Sequence, residues 1–141
     1  MPVARNIRLL AWFSFLGDFR PYAPIAILYF AQISGSYALG MSIFAATMLA
    51  QSLLEIPTGV FSDKVGRKQT VVYGAAAGVF ALIFYAIGGT YSALLTGAIF
   101  EGLGRAFFSG NNEALLHDTL AEMGQRERYA EYLGKTSSMY Q

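Results

Sequence analysis

The feature that most constrains the fold is a set of four long apolar runs, at residues 9–33, 39–56, 70–87 and 93–116. A helix rises about 1.5 Å per residue, so roughly 20 apolar residues cross the ~30 Å hydrocarbon core of a bilayer. Charged residues make up only 13% of the chain, whereas a soluble domain carries about 25%. We therefore predict an all-α membrane protein with four transmembrane helices at these positions.

The first run begins with a basic stretch and resembles a secretory signal. Asp18 and Arg20 interrupt it, however, and no small-residue cleavage pattern precedes the next apolar run. A retained first membrane helix is therefore favoured. Short links, SGSYA and GGTYS, follow the first and third runs, so neighbouring helices are expected to be antiparallel.

The basic residues that flank the predicted spans all fall on one side of the membrane. They precede the first span, separate the second from the third, or follow the fourth: Arg5, Arg8, Lys64, Arg67, Lys68, Arg126, Arg128 and Lys135. The positive-inside rule assigns that side to the cytoplasm. We therefore expect a multi-pass protein of a cell membrane with a cytoplasmic N-terminus. Residues 120–135 have apolar side chains at roughly helical spacing and are predicted to form an amphipathic cytoplasmic helix.

Composition argues against several classes of function. The net charge of +1 gives no reason to expect electrostatic binding to nucleic acid. Without cysteine, and with His117 as the one histidine, the chain lacks thiol nucleophiles, thiolate metal sites and histidine clusters. No nucleophile elbow surrounds His117, and the glycines at 102–110 lack the G-x-G-x-x-G spacing of nucleotide sites. We therefore expect no enzyme, no metal and no cofactor, and we expect membrane lipid as a partner.

The stretch GVFSDKVGRKQT, at 59–70, places one acid, three bases and two glycines between the second and third apolar runs. Pro57 marks the point at which a regular helix becomes costly, and Gly66 supplies a turn conformation that other residues resist. A connection that only fixes topology requires bases, but it does not require an acid and glycines at set positions. We therefore expect this signature stretch to serve function as well as topology.

The signature stretch resembles the sequence signature of the major facilitator superfamily, a family of secondary transporters. The resemblance is carried by Gly59, Asp63, Lys64, Gly66, Arg67 and Lys68, while Phe61 and Ser62 depart from the commoner leucine and alanine. It implies a position between helices two and three on the cytoplasmic side, where the charge pattern independently places the stretch. It also implies a charge cluster that latches the two halves of a transporter in one of their alternating states.

The segment GLGRAFFSGNNEALLHDTL, at 102–120, extends the resemblance. It is similar to a pattern in several bacterial branches of the family, in which an acid near the cytoplasmic end of helix four pairs with the signature arginine. Asp118 is the position that matches this acid, and Glu113 is the second choice. The resemblance therefore implies that Arg67 pairs with Asp118, and a partly desolvated pair of this kind contributes more than an exposed one.

Charged residues inside the first predicted span mark a second candidate site, because each costs at least about 2.5–3.5 kcal/mol on membrane-insertion scales. Asp18 lies roughly 15 Å into the span by helix rise, on a polar stripe that includes Tyr22. Arg20 is two residues from Asp18 and faces elsewhere. Pro21 and Pro24 would interrupt the helix just beyond, and a broken helix with an acid at mid-membrane resembles transporter binding sites.

The fourth predicted span contains a charged pair. Glu101 and Arg105 are four residues apart, in the order that favours a same-face ion pair, and Asn112 continues that face. One interpretation is that the pair neutralises its own charges and holds the helices together. The other is that the site binds substrate or carries a proton, with Asp18 or Glu101 as the group that titrates.

The resemblance implies a working unit of two six-helix halves, each built from two three-helix repeats. The chain would then be an amino-terminal fragment, part of one six-helix half, with the remaining helices of the same transporter as partners. The expected function is alternating-access transport of a small molecule, by proton-coupled efflux of amphipathic compounds across a bacterial inner membrane. The alternative is a complete four-helix homo-oligomeric exporter or a non-transporting membrane scaffold.

Overall fold

The computed structural model describes residues 23–109, together with Trp12, Asn111, His117, 120–121 and Gly124. Within 23–109 the chain forms four helices: α1, Ala23–Ser34; α2, Tyr37–Val65; α3, Arg67–Ile87; and α4, Tyr91–Phe108. The expectation of an all-α protein is therefore confirmed for the described residues. Helices α2 and α3 are long and apolar enough to cross a membrane, and α1 is a shorter apolar helix. The full set of four spans stays a prediction.

The helices α2 and α4 begin at side-chain caps. The Ser36 hydroxyl accepts a hydrogen bond from the Leu39 amide at 3.2 Å, and the Thr90 hydroxyl accepts one from the Ala93 amide at 3.2 Å. Such caps satisfy amides that have no partner inside the helix. They place the helix starts two residues before the apolar runs at 39 and 93.

Helix α2 continues past Pro57 to Val65, where we expected regular helix to end. A proline removes one backbone hydrogen bond and crowds the preceding turn. The Thr58 hydroxyl lies at this point and donates to the carbonyls of Leu54 at 2.8 Å and Glu55 at 3.1 Å. The helix of 29 residues is about 43 Å long, so its end extends beyond a ~30 Å hydrocarbon core.

Helix α4 packs against both α2 and α3, whereas α2 and α3 make few contacts with each other. Two glycines on different faces of α4 permit the close approach. A Cβ atom at Gly102 would lie 2.6 Å from the Ala50 Cβ of α2, and one at Gly104 would lie 3.1 Å from the Gly74 carbonyl oxygen of α3. Small residues are typical of helix interfaces in membranes, where tight van der Waals packing holds helices together.

The described helices belong to one compact unit, Tyr22–Asn111. Its core consists of buried side chains from all four helices: Ala26, Phe30, Ile43, Tyr85, Leu94 and Ala98. The outward faces are also apolar, and large side chains on them are more than half exposed, such as Leu53, Ile56, Val72 and Ile87. The second unit, Met1–Pro21 with Asn112–Gln141, contains the exposed side chains of Trp12 and His117.

Candidate functional site

Glu101, near the middle of α4, is the centre of a polar cluster inside the bundle. Arg105, one turn along the same helix, donates from Nη2 to Glu101 Oε1 at 2.8 Å. Tyr85 of α3 donates from its hydroxyl to Glu101 Oε2 at 2.8 Å. The Glu101 side chain is only 15% exposed. We call Tyr85, Glu101 and Arg105 the carboxylate cluster. The two charged residues have the expected same-face geometry, and their role in transport stays a prediction.

Tyr85 is positioned by contacts to two other helices. Gly97 of α4 makes room for its ring, since a Cβ there would lie 2.7 Å from Tyr85 Cε1. Phe30 of α1 packs on the same ring with a centroid separation of 5.0 Å. The Tyr29 hydroxyl donates to the Tyr85 carbonyl at 2.6 Å. Tyr85 therefore joins three helices, and its hydroxyl reaches Glu101 one turn beyond Gly97.

An apolar cavity of about 400 Å³ opens between α1 and α3. Its walls are Ile25, Ala26, Tyr29, Phe30, Leu82, Tyr85 and Ala86. The volume lies within the roughly 300–1,000 Å³ typical of small-molecule sites. Tyr85 lines this cavity and also holds Glu101 through its hydroxyl. The cavity is thus linked to the carboxylate by a single side chain, and sequence reasoning did not find that side chain.

The carboxylate cluster retains one donor without a hydrogen bond. Arg105 Nε is buried and has no hydrogen-bond partner in the described part of the chain. A buried donor of this kind is costly unless it is satisfied. No group of three histidine or acidic side chains suited to a metal ion occurs among the described residues.

A second polar cluster lies where the end of α4 meets the turn between α2 and α3. Asn111, which is 4% exposed, uses both polar atoms of its amide. Its Oδ1 accepts from the Ser62 hydroxyl at 2.9 Å, and its Nδ2 donates to the Arg67 carbonyl at 3.0 Å. Ser62 is in the last turn of α2 and Arg67 is the first residue of α3. Asn111 therefore contacts the chain on both sides of Gly66.

Further contacts fasten the end of α4 to α2. Thr58 donates to the Ala106 carbonyl at 3.2 Å, and the Ser109 hydroxyl donates to the Glu55 carboxylate. The Thr58 hydroxyl has a single proton, which it shares between the Ala106 carbonyl and the nearer carbonyls of its own helix. Glu55, Thr58 and Ser62 recur at three- and four-residue spacing and so share one face of α2. We call these three residues the polar seam.

The charged residues of the signature stretch lie at the surface on either side of the turn. Asp63, Lys64 and Lys68 are exposed, and Arg67 is half-buried. A Cβ atom at Gly59 would meet nothing within 4 Å. Because α2 runs to Val65 and α3 starts at Arg67, the connection between them is Gly66 alone, which is shorter than the loop that we expected.

Several predicted site residues lie outside the described part of the chain: Asp18, Arg20, Tyr22, Asn112, Glu113 and Asp118. The predicted pairing of Arg67 with Asp118 therefore stays a prediction, as does the role of Asp18. Asn111, which sequence reasoning passed over in favour of its neighbour, is the residue that the structure places against the signature stretch.

Comparison with known proteins identifies the family. The sequence model of the Major Facilitator Superfamily matches residues 8–130. The vesicular acetylcholine transporter of Tetronarce californica is 31% identical over 84 residues, which cover 60% of this chain and 16% of that protein. An uncharacterised MFS-type transporter of Methanocaldococcus jannaschii is 31% identical over 113 residues, which cover 79% of this chain and 28% of that protein.

No solved structure matches the chain significantly. The chain spans between 16% and 28% of the length of these two relatives. The family match covers all four described helices and both polar clusters. The resemblance carried by the signature stretch is therefore confirmed, and this chain belongs to the major facilitator superfamily of membrane transporters.

Proposed function

We propose that the chain is part of a secondary active transporter that exports small amphipathic molecules in exchange for protons. The observation that carries the proposal is the carboxylate cluster beside the apolar cavity. The cavity accommodates the apolar part of a ligand, and Glu101 supplies a carboxylate that Tyr85 links to the cavity wall. A few placed polar groups in an apolar pocket are typical of small-molecule sites.

Glu101 also suits proton coupling. A buried carboxylate inside a membrane is costly, and such residues commonly mark proton or substrate pathways. Protonation of Glu101 would remove the charge that holds Arg105 at 2.8 Å. Protonation would also remove the negative charge that attracts a positively charged substrate. A proton and a cationic substrate would therefore compete for the Glu101 carboxylate, as exchange requires.

The substrate class follows from the cavity and from the relatives. The cavity walls are aliphatic and aromatic, so they suit an apolar body rather than a sugar or an inorganic ion. The matched transporter of Tetronarce californica is named for acetylcholine, which is a small organic cation. We therefore infer that small organic cations with an apolar portion are the substrate class.

Alternating access would use the signature stretch. Asp63 and Arg67 lie at the end of the bundle that the basic residues assign to the cytoplasm, and Asp118 is the proposed partner of Arg67. These charges would pair in one state and keep it closed, and the pairs would separate in the other state. In this proposal the protein lies in a bacterial inner membrane with its N-terminus in the cytoplasm, and further helices complete the substrate pathway.

The test uses the complete protein encoded by the gene, in vesicles with an imposed pH gradient. Ethidium and acetylcholine serve as probes. Glu101→Gln removes the charge of the side chain, so we expect at least about a tenfold loss of gradient-driven uptake. Glu101→Asp keeps the carboxylate and is expected to retain part of the uptake. Arg67→Ala is expected to slow transport as well, because it removes the proposed latch.

The possible outcomes separate the parts of the proposal. If Glu101→Gln transports as the wild type does, proton coupling at Glu101 is wrong. If Arg67→Ala also transports normally, the latch is wrong too. If the wild type moves neither probe, the inferred class of substrate is wrong.

A further inference from the structure

Asn111 is a buried amide whose hydrogen bonds join three helices. It follows the end of α4, accepts from Ser62 of α2 at 2.9 Å and donates to the Arg67 carbonyl of α3 at 3.0 Å. Its backbone amide donates to the Ser109 carbonyl at 2.8 Å. Burying an amide is costly unless it is hydrogen-bonded, and both ends of this one are used.

Two kinds of contact span the turn: the hydrogen bonds of Asn111 beside Gly66 and, farther from Gly66, the ring contact between Phe61 of α2 and Tyr73 of α3, whose centroids lie 5.5 Å apart. Gly66 joins α2 to α3 alone, and glycine has the most backbone freedom of any residue. The two helices make few contacts with each other, whereas both pack on α4. The backbone hydrogen bonds at Gly66 itself are local, from the Gly66 amide to the Ser62 carbonyl at 2.9 Å and from the Thr70 amide to the Gly66 carbonyl at 3.1 Å. They maintain each helix end without fixing the angle between the helices.

We propose that Asn111 is a positioning residue that sets the angle of the α2–α3 turn and couples it to the end of α4. The residue that it holds by the backbone is Arg67, the signature arginine. A displacement of the end of α4 moves Asn111 and, through its hydrogen bond, Arg67. A rotation of Arg67 moves the end of α4 in the same way. The link to transport rests on the proposed function, because it requires the latch, whereas the control of the turn does not.

Substitutions can remove the two side-chain hydrogen bonds of Asn111 separately. Ser62→Ala removes the bond to α2 and leaves the bond to the Arg67 carbonyl. Asn111→Asp retains an acceptor for Ser62 but replaces the donor that faces the Arg67 carbonyl with a second acceptor. Asn111→Leu, of similar size, removes both hydrogen bonds. A residue that only fastened α4 to α2 would be affected equally by Ser62→Ala and Asn111→Leu, whereas a residue that positions the turn would be affected less by Ser62→Ala, which keeps the bond to the Arg67 carbonyl.

The first measurement is hydrogen–deuterium exchange of the backbone amides at 66–70 in the complete protein in lipid nanodiscs. Asn111→Leu and Asn111→Asp are expected to raise exchange there by about tenfold, the scale of one lost buried hydrogen bond. Ser109→Ala is the matched control, because it loses the Glu55 contact at the same end of α4 but leaves the turn intact. Exchange in this control is expected to stay within about twofold of the wild type.

The second measurement is gradient-driven uptake of ethidium by the same variants. Asn111→Leu is expected to lower the maximal rate about fivefold or more and to leave KM within about twofold, because Asn111 is remote from the apolar cavity. Unchanged exchange at 66–70 in both Asn111 variants would overturn the proposal. So would raised exchange in Ser109→Ala to the same extent. If Asn111→Leu does not reach the membrane, Asn111→Asp and Ser62→Ala provide the same comparison.

The two proposals fail separately. If Arg67→Ala loses transport while the Asn111 variants leave exchange unchanged, the latch stands and the positioning role is wrong. If Arg67→Ala transports normally while the Asn111 variants raise exchange, Asn111 positions the turn and the latch is wrong.

Discussion

At the scale of single residues, Gly66 allows two long helices to meet with no intervening loop. Its backbone angles, φ 98° and ψ 142°, lie where an L side chain is strained. Gly59, seven residues earlier, is different. It lies inside α2, its φ is not positive, and the space beside it is open. The two signature glycines therefore have different physical roles.

We predict opposite effects of alanine at these two glycines. Gly66→Ala should lower the free energy of unfolding by about 1–3 kcal/mol, because it forces a side chain into strained backbone geometry. Gly59→Ala should raise it by about 0.5–1 kcal/mol, because alanine is the better residue inside a helix. Circular dichroism during denaturant titration in mixed micelles measures both. An equal loss of unfolding free energy in the two variants would contradict the different roles assigned to these glycines.

How far the site could be predicted also depends on single residues. The pair formed by Glu101 and Arg105 lies within one helix, so sequence spacing alone predicted its geometry. Tyr85 and Asn111 act across helices. The hydrogen-bond partners of these two side chains lie 16 to 49 residues away in sequence. No local periodicity reports such contacts, which depend on how the helices pack.

At the scale of elements, the helices follow the apolar runs, and the differences from them lie at helix ends. Ser36 and Thr90 are caps that precede the runs, so α2 and α4 start earlier than the runs do. The end of α2 differs most, because Pro57 suggested a stop. Thr58 bonds within its own helix and to Ala106 of α4. That second contact is tertiary and could not be read from the segment itself.

Close helix packing yields a prediction with a control inside the same bundle. A methyl group at Gly102 would lie 2.6 Å from both the Ala50 Cβ and the Thr47 carbonyl oxygen, whereas one at Gly78 would meet nothing within 4 Å. Gly102→Ala should therefore destabilise the protein by about 1–3 kcal/mol, the cost of overpacking. Gly78→Ala should be neutral or stabilising. Thermal unfolding in detergent micelles measures both, and a tolerated Gly102→Ala would show that α2 and α4 can separate freely.

At the scale of the whole molecule, the exposed apolar faces and the polar clusters have complementary roles. Side chains such as Ile56 and Ile87, 79% and 71% exposed, would be unfavourable in water but are suited to lipid or to further helices. Charged side chains are concentrated at the end of the bundle that contains the signature stretch. The interior charges Glu101 and Arg105 are paired. This distribution is what a bilayer imposes on a helical protein.

The same distribution predicts the sidedness of the turns. The α2–α3 turn and the α3–α4 turn lie at opposite ends of α3, and the bases lie only at the first. The chain has no cysteine, so once any cysteine elsewhere in the complete protein is replaced, single-cysteine variants at the exposed positions Lys64 and Ser92 report sidedness. In intact cells, a membrane-impermeant maleimide should label Ser92→Cys at once and Lys64→Cys only after permeabilisation. The reverse pattern would contradict the cytoplasmic placement of the signature stretch, and labelling of both in intact cells would mean that α3 does not span the membrane.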